Sequence, residues 1–195
     1  FNIFNIATGG NLSISGVTVS GAKTYSFGGA FNNSGILNIA NSTLSNNSAT
    51  FGGAIENISG AILTVTNSTI FGNSASFGGG IDNYGGTLTV IGSTFSSNTA
   101  TYSGGGGGIY SSSSSTITNT IIANSTNGVD YYGTNPNLIS PATKYSNLVT
   151  QSGLAWATTV TSAQLNLGAL QNNGGATSTM ALGACLSCWN RSRFR

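Results

Sequence analysis

Histidine is absent from this chain of 195 residues, and acidic side chains number only 3 against 5 basic ones. Without imidazole there is no Ser-His-Asp triad, no histidine metal site and no histidine acid–base chemistry. Charged residues make up 4% of the chain, where an ordinary soluble domain has about 25%. That excludes a coiled coil, a helical bundle and a charge-solubilised disordered tail. No run approaches the ~18 consecutive apolar residues of a membrane span, and the chain does not open on a signal-peptide pattern. The formal charge of +2 is misleading, because Arg191, Arg193 and Arg195 lie together at the end. Before them, Lys23 and Lys144 stand against Glu56, Asp82 and Asp130. With no basic stripe to neutralise phosphates, nucleic acid is not expected as a partner, and neither is membrane insertion.

What is abundant is small and uncharged: 29 Ser, 25 Thr, 24 Asn and 29 Gly. Periodicity decides whether this bias means disorder or repetition. Phe27-Gly-Gly-Ala-Phe-Asn-Asn33 aligns with Phe51-Gly-Gly-Ala-Ile-Glu-Asn57 and Phe77-Gly-Gly-Gly-Ile-Asp-Asn83, at intervals of 24 and 26 residues. Gly106-Gly-Gly-Ile-Tyr-Ser111 is a fourth copy. The second half of each unit recurs too, over 36–49, 62–75, 87–100 and, more loosely, 116–126. Apolar residues alternate within a unit, as in Leu63/Val65 and Leu88/Val90, which is the period of a strand. Gly and Asn punctuate the strands and tolerate positive φ.

A unit of about 25 residues with short strands and no helix closes no core alone, but stacked units do. The expected fold is therefore all-β, a right-handed parallel β-helix. Residues 1–182 form one domain: 1–26 as first coil and cap, 27–128 as regular coils, 129–182 as irregular coils and a second cap. The alignment places Leu44, Ile70, Phe95 and Ile121 in one interior column. Phe27, Phe51, Phe77 and Tyr102 form a second column, and Asn47, Asn73, Asn98 and Asn124 an amide ladder. Both of these are read as scaffold. An end left as a naked strand edge would favour end-to-end association over a monomer.

Two signatures carry a resemblance. The Gly-Gly-Ala-Ile and Phe-x-x-Asn elements (Gly53–Ile55, Phe95–Asn98) resemble repeats of bacterial polymorphic outer-membrane proteins, which are β-helical adhesin passengers. Leu167-Gly-Ala-Leu-Gln-Asn-Asn-Gly-Gly-Ala-Thr-Ser-Thr-Met-Ala-Leu182 resembles the closing motif of choice-of-anchor β-helix surface proteins. Together they cover roughly 27–182. They imply a secreted or bacterial cell-surface protein, adhesin-like and usually without an assigned reaction. The long polar face of Ser, Thr and Asn is read as an adhesive or structural surface, with a polysaccharide or cell-surface glycan as partner. The tail 183–195 departs from that pattern. Its sudden Cys, Trp and Arg content reads as a frameshifted or added end in place of an anchor, and Cys185-x-x-Cys188 as incidental thiols or an intermolecular disulfide.

The chemistry-bearing candidates are few. If Ile55 and Ile81 point inward, Glu56 and Asp82 point outward on adjacent rungs about 4.8 Å apart. They lie in the column Asn32, Glu56, Asp82, Tyr110, as an aligned and solvent-facing pair of acids. A polysaccharide hydrolase or lyase would use these two as its catalytic pair, with Asp130 or a tyrosine assisting, since like charges this close raise one carboxyl pKa. β-Helix enzymes that cleave polysaccharides, as a resemblance, also carry acids on an outward strand face. No cofactor is implied beyond a calcium ion shared by Glu56 and Asp82. Asn32, Tyr84, Tyr110, Tyr131 and Tyr132 are the candidate glycan-binding residues, the tyrosines as sugar-stacking rings in exposed positions. The pairs Thr64/Thr66, Thr87/Thr89 and Thr116/Thr118 raise ice binding as a third reading, by resemblance to antifreeze solenoids. Their phase slips, however, because Thr64 aligns with Thr89.

Overall fold

A computed structural model describes residues 2–133, 148–149, 158–159 and 161–182. The tail with Cys185 and Cys188 lies outside the described residues. The chain is a parallel β-solenoid of about five turns with about 26 residues per turn. Each turn contributes one strand to each of three parallel sheets. The first sheet stacks Phe4–Ile6, Phe31–Asn33, Ile55–Ile58, Ile81–Tyr84, Gly106–Ser111 and Val129–Gly133. The second stacks Asn11–Ser15, Ile36–Ala40, Ile62–Thr66, Thr87–Ile91 and Ser115–Thr118. The third begins with Thr18–Ser20, Thr43–Ser45, Thr69–Phe71, Thr94–Ser96 and Ile121–Ala123, and continues through 148–149 and 158–159.

Alternation sends every second side chain of each strand inward, so stacked rungs give apolar columns. Phe31, Ile55, Ile81, Ile109 and Tyr131 form one column; Leu37, Leu63 and Leu88 another; Ile39, Val65, Val90 and Ile117 a third. All are buried in a single core. The fourth column is Leu44, Ile70, Phe95 and Ile122. The expected Ile121 pairs instead with Thr94 on the outer face.

The correction follows from the turns. Gly16, Asn41, Asn67, Gly92 and Asn119 all sit at positive φ between the second and third sheets. Asn119 therefore marks the turn of the last full unit and sets Ile122 inward. The residue after each turn carries a hydroxyl in four of the five units. Ser42, Ser68, Ser93 and Thr120 each donate to the carbonyl two residues back, at 2.7, 2.8, 3.0 and 2.8 Å. Their oxygens also accept the backbone N–H of the preceding rung. A hydroxyl ladder thus satisfies turn groups that would otherwise be stranded.

Two amide ladders do the same elsewhere. Asn47 Nδ2 donates to Asn73 Oδ1 and Asn73 Nδ2 to Asn98 Oδ1, both at 3.0 Å. The same oxygens accept the backbone N–H groups of Asn47 and Asn73. Asn124 is not the next rung. It joins Gly21, Asn46, Gly72 and Ser97 in a positive-φ column, and Thr126 N–H bonds Asn98 O as Thr99 N–H bonds Asn73 O. That register puts Ser125 in the ladder position. A second ladder, Asn33, Asn57 and Asn83 at 2.8 and 2.7 Å, ends on Ser111 Oγ at 3.0 Å.

At the low-numbered end, Phe4–Ile6, Asn11–Ser15 and Thr18–Ser20 each close their sheet among the described residues. Ile3, Phe4 and Val17 are exposed there, beside a hollow of about 410 Å³. At the other end, the four-residue helix Ser162–Leu165 is followed by an antiparallel hairpin, Leu167–Gln171 with Thr179–Leu182. This hairpin lies along the flank of the third sheet. Thr43 Oγ1 donates to Ser178 O at 2.6 Å and Thr177 Oγ1 to Asn41 O at 3.3 Å.

Candidate functional site: an aromatic groove over two buried acids

Each Phe-Gly-Gly repeat turns the chain from the third sheet into the first. The first glycine (Gly28, Gly52, Gly78) takes φ near +60°, and a Cβ on it would sit about 2 Å from the carbonyl oxygen of the residue three on. The second (Gly29, Gly53) runs so close to the next rung that a Cβ would meet that rung's glycine oxygen at 2.1 Å. Only glycine permits this corner. Its effect is to hold each phenylalanine beside the strand that carries the polar residue five positions later: Phe27 with Asn32, Phe51 with Glu56, Phe77 with Asp82.

Stacking repeats the pair at every rung. The rings of Phe27, Phe51, Phe77 and Tyr102 follow one another at centroid distances of 5.5, 6.0 and 4.9 Å. The expected column Asn32, Glu56, Asp82, Tyr110 is also present in register. It extends one rung each way, to Asn5 and Tyr132. Tyr110 packs edge-on to Phe77 at 5.3 Å and stacks on Tyr132 at 5.4 Å. Between these columns runs a groove of about 280 Å³ lined by Phe27, Phe51, Phe77, Tyr84, Tyr110, Glu56 and Asp82. The phenylalanines expected as scaffold alone therefore also form a wall of the groove.

Glu56 and Asp82 do point away from the core, as strand parity requires, yet each is only 2% exposed. The solvated pair of acids expected from the sequence is instead a buried one. Glu56 Oε2, Asp82 Oδ1 and Asn32 Oδ1 are buried without a hydrogen-bond partner. Burial pushes the Glu56 carboxyl up to about 9, with the Asp82 charge adding to it, and burial pushes Asp82 up to about 7. Desolvation is the larger cause because a carboxylate without donors loses hydration and gains nothing in return. The pair therefore holds a proton at neutral pH. Asn57 and Asn83, neighbours on the same strands, are committed to their own ladder and supply nothing here.

The other predicted residues separate. Tyr84 stands two residues beyond Asp82 on the same face and is 63% exposed. Tyr132 is 38% exposed at the end of the column. Tyr131 is 2% exposed and belongs to the core. Hydrogen bonds to Ser111 and Ser115 satisfy its phenol, and burial raises its pKa. Parity explains this correction, since Tyr131 pairs with Ile109 and must face inward. Asp130 is fully buried away from the groove, where its Oδ1 accepts the Ser125 N–H at 3.1 Å. It thereby takes over the acceptor role that the amide ladder plays on earlier rungs.

On the second sheet, the outward column Asn38, Thr64, Thr89, Thr116 is in register. Its neighbour runs Ala40, Thr66, Ile91, Thr118. The slip between Thr64 and Thr87 is thus real, and two positions of the second column lack a hydroxyl.

The site joins apolar ring edges to a carboxyl floor that donates and accepts hydrogen bonds when protonated. In comparisons with protein-family models, curated proteins and solved structures, nothing matches the chain.

Proposed function

We propose that this solenoid is an extracellular or cell-surface glycan-binding module with an adhesin-like role, taking a polysaccharide along the aromatic groove. The observation that carries this reading is the groove itself, five aromatic residues beside two carboxyls on stacked rungs. A linear glycan is a repeating polymer that presents C–H faces and hydroxyls, and the groove repeats both complementary elements at each rung. The ladder rings face one another along the axis, so the glycan meets their edges. Tyr84 is the ring with most of its surface open. Protonated Glu56 supplies a donor as well as acceptors at the floor. An exterior almost without charge suits a neutral ligand recognised by hydrogen bonds and apolar contact. The resemblance of the repeats and of 167–182 to adhesin-like and anchored surface proteins supports the address.

A second reading, a polysaccharide hydrolase or lyase, is favoured by one observation: two carboxyls lie on adjacent rungs in one groove, both raised by burial so that a proton is held between them, and a protonated carboxyl can serve as a general acid. Against it, the two side chains lie side by side on parallel rungs instead of flanking a bond. Its third acid, Asp130, is also buried elsewhere.

The test is a panel of polysaccharides scored for retention and for new reducing ends or unsaturated products. Wild type runs beside Tyr84→Ala and the Glu56→Gln/Asp82→Asn double variant. The expected result is retention without cleavage, weakened about tenfold in Tyr84→Ala, as the loss of one ring contact implies. Cleavage that disappears in a folded double variant makes the protein an enzyme. No retention on any glycan removes the binding reading.

A further inference from the structure

We propose that the glycan taken by the groove is an acetamido sugar polymer, with an amide N–H donating to the Glu56–Asp82 pair and the acetyl methyl lying against the phenylalanine edges. The inference rests on the glycan reading and names the sugar class within it. It starts from a shortage of donors at the floor. Glu56 and Asp82 line the groove, each 2% exposed, and Glu56 Oε2 and Asp82 Oδ1 have no hydrogen-bond partner. None of the described residues lining the groove is basic. The amides of Asn57 and Asn83, on the same strands, are bonded within their own ladder. The proton that the pair holds is one donor among the oxygens of two carboxyls, so acceptors remain in excess. Unmatched buried acceptors cost free energy, and a ligand that brings donors recovers it.

The walls set a second condition. The phenylalanine ladder turns ring edges, which hold no polar atom, to the groove. A sugar hydroxyl that donates to the floor also brings two lone pairs, and these find only C–H edges. An amide nitrogen donates without accepting, so it satisfies a carboxyl oxygen and strands nothing. The methyl of the same group is apolar and suits the rings. In a planar trans amide the carbonyl oxygen points opposite to the N–H, toward the open side of the groove and water. A free amino group in that place is an ammonium at neutral pH. It would meet a floor that is partly protonated and ring edges that carry the positive end of the aromatic quadrupole. The calcium ion expected from the sequence suits the lining no better, since calcium takes about 6–8 oxygens and the rest of the lining is aromatic.

The experiment uses the full chain at one neutral pH, with soluble oligomers of equal length on one backbone: β-linked N-acetylglucosamine, its deacetylated form, and β-linked glucose. The wider polysaccharide panel runs beside them. By calorimetry the N-acetylated oligomer is expected to bind at least about tenfold more tightly than either counterpart, the worth of one such hydrogen bond. Glu56→Gln/Asp82→Asn brings amide donors to the floor and should cut that preference to about twofold or less. Tyr84→Ala should weaken every oligomer and leave the preference intact. A second measurement needs no variant: on saturating the aromatic protons by NMR, transfer should reach the acetyl methyl more strongly than the sugar-ring protons. Equal affinity for the three oligomers, tighter binding of the glucose or deacetylated form, or retention only of panel glycans without acetamido groups overturns the inference and leaves the glycan reading in place. An undiminished preference in a folded double variant overturns it too, as does weaker transfer to the methyl than to the sugar ring. No binding of any glycan removes both readings.

Discussion

A carboxyl group on the outward side of a strand is ordinarily hydrated, and Glu56 and Asp82 are not, because the Phe-Gly-Gly corners bring phenylalanine rings alongside them. The consequence is a pH dependence of opposite sign to ordinary acid denaturation. Both carboxyls have folded-state pKa values raised above the ordinary 4.5 and 3.8, to about 9 and about 7. The folded state therefore binds more protons than the unfolded state between about pH 4 and pH 9, and stability falls as pH rises through that window. Wild type is expected to melt several degrees lower at pH 9 than at pH 5. Glu56→Gln/Asp82→Asn should remove most of that difference, by an amount on the order of several kcal/mol at pH 9 and near zero at pH 4. Melts by circular dichroism across this range decide it, and parallel curves for the two proteins would mean that the pair is hydrated in solution. Asp130 is a contrasting acid. Asp130→Ala removes the acceptor of a buried Ser125 N–H and should cost about 1–3 kcal/mol, while Asp130→Asn keeps an oxygen there and should cost less. Neither change is expected to alter glycan retention.

Among the repeated elements, the ladders have the clearest energetic consequence. Asn73 Oδ1 accepts from the Asn47 amide and backbone, and its Nδ2 donates to Asn98 Oδ1 and to Leu44 O at 3.0 Å each. Asn73→Ala strands several buried groups at once and is expected to cost about 3 kcal/mol or more in urea unfolding. Asn67→Gly, at an exposed positive-φ turn, should be nearly neutral. Comparable costs for the two would mean that the ladder adds little beyond turn geometry. The ladder and the turns were also the most readable part of the sequence, since Asn, Gly and Ser recur at fixed offsets from the apolar alternation. Reading slipped where the fourth unit diverges. Asn124 and Ile121 match their columns by counting residues, but the turn at Asn119 and the inserted glycines after Tyr102 shift the register by one. A one-residue shift exchanges inside and outside, so Ser125 and Ile122 take those places. Parity gave the direction of Glu56 and Asp82 but not their burial, which depends on where the preceding corner sends an aromatic ring. The same parity applied to Tyr131, as the partner of Ile109, would have marked it as core.

At the scale of the whole molecule, a solenoid is a one-dimensional stack in which each coil touches its neighbours, and local opening at one end leaves the other end intact. The hairpin of 167–182 breaks that rule. It follows a helix whose Ser162 Oγ donates to Asn124 Oδ1 at 2.6 Å, and it reaches Asn41 and Thr43, where hydrogen bonds close a separation of 135 and 136 residues. The coils of Asn124 and Asn41 are three rungs apart, about 14 Å at the strand spacing, and a five-residue strand spans about 17 Å. The hairpin is therefore long enough to clasp the stack lengthwise and couple its coils. Thr43→Val/Thr177→Val deletes both donor hydroxyls and should cost about 1–3 kcal/mol in total. Coupling makes a sharper prediction than the total. Amide hydrogen exchange should quicken in the strand at Thr43–Ser45 and also in Ile121–Ala123, three rungs away. Faster exchange confined to Thr43–Ser45 would make the hairpin a local cover instead of a clasp. In that case the ends of the solenoid should open independently of each other, as in an unclasped stack.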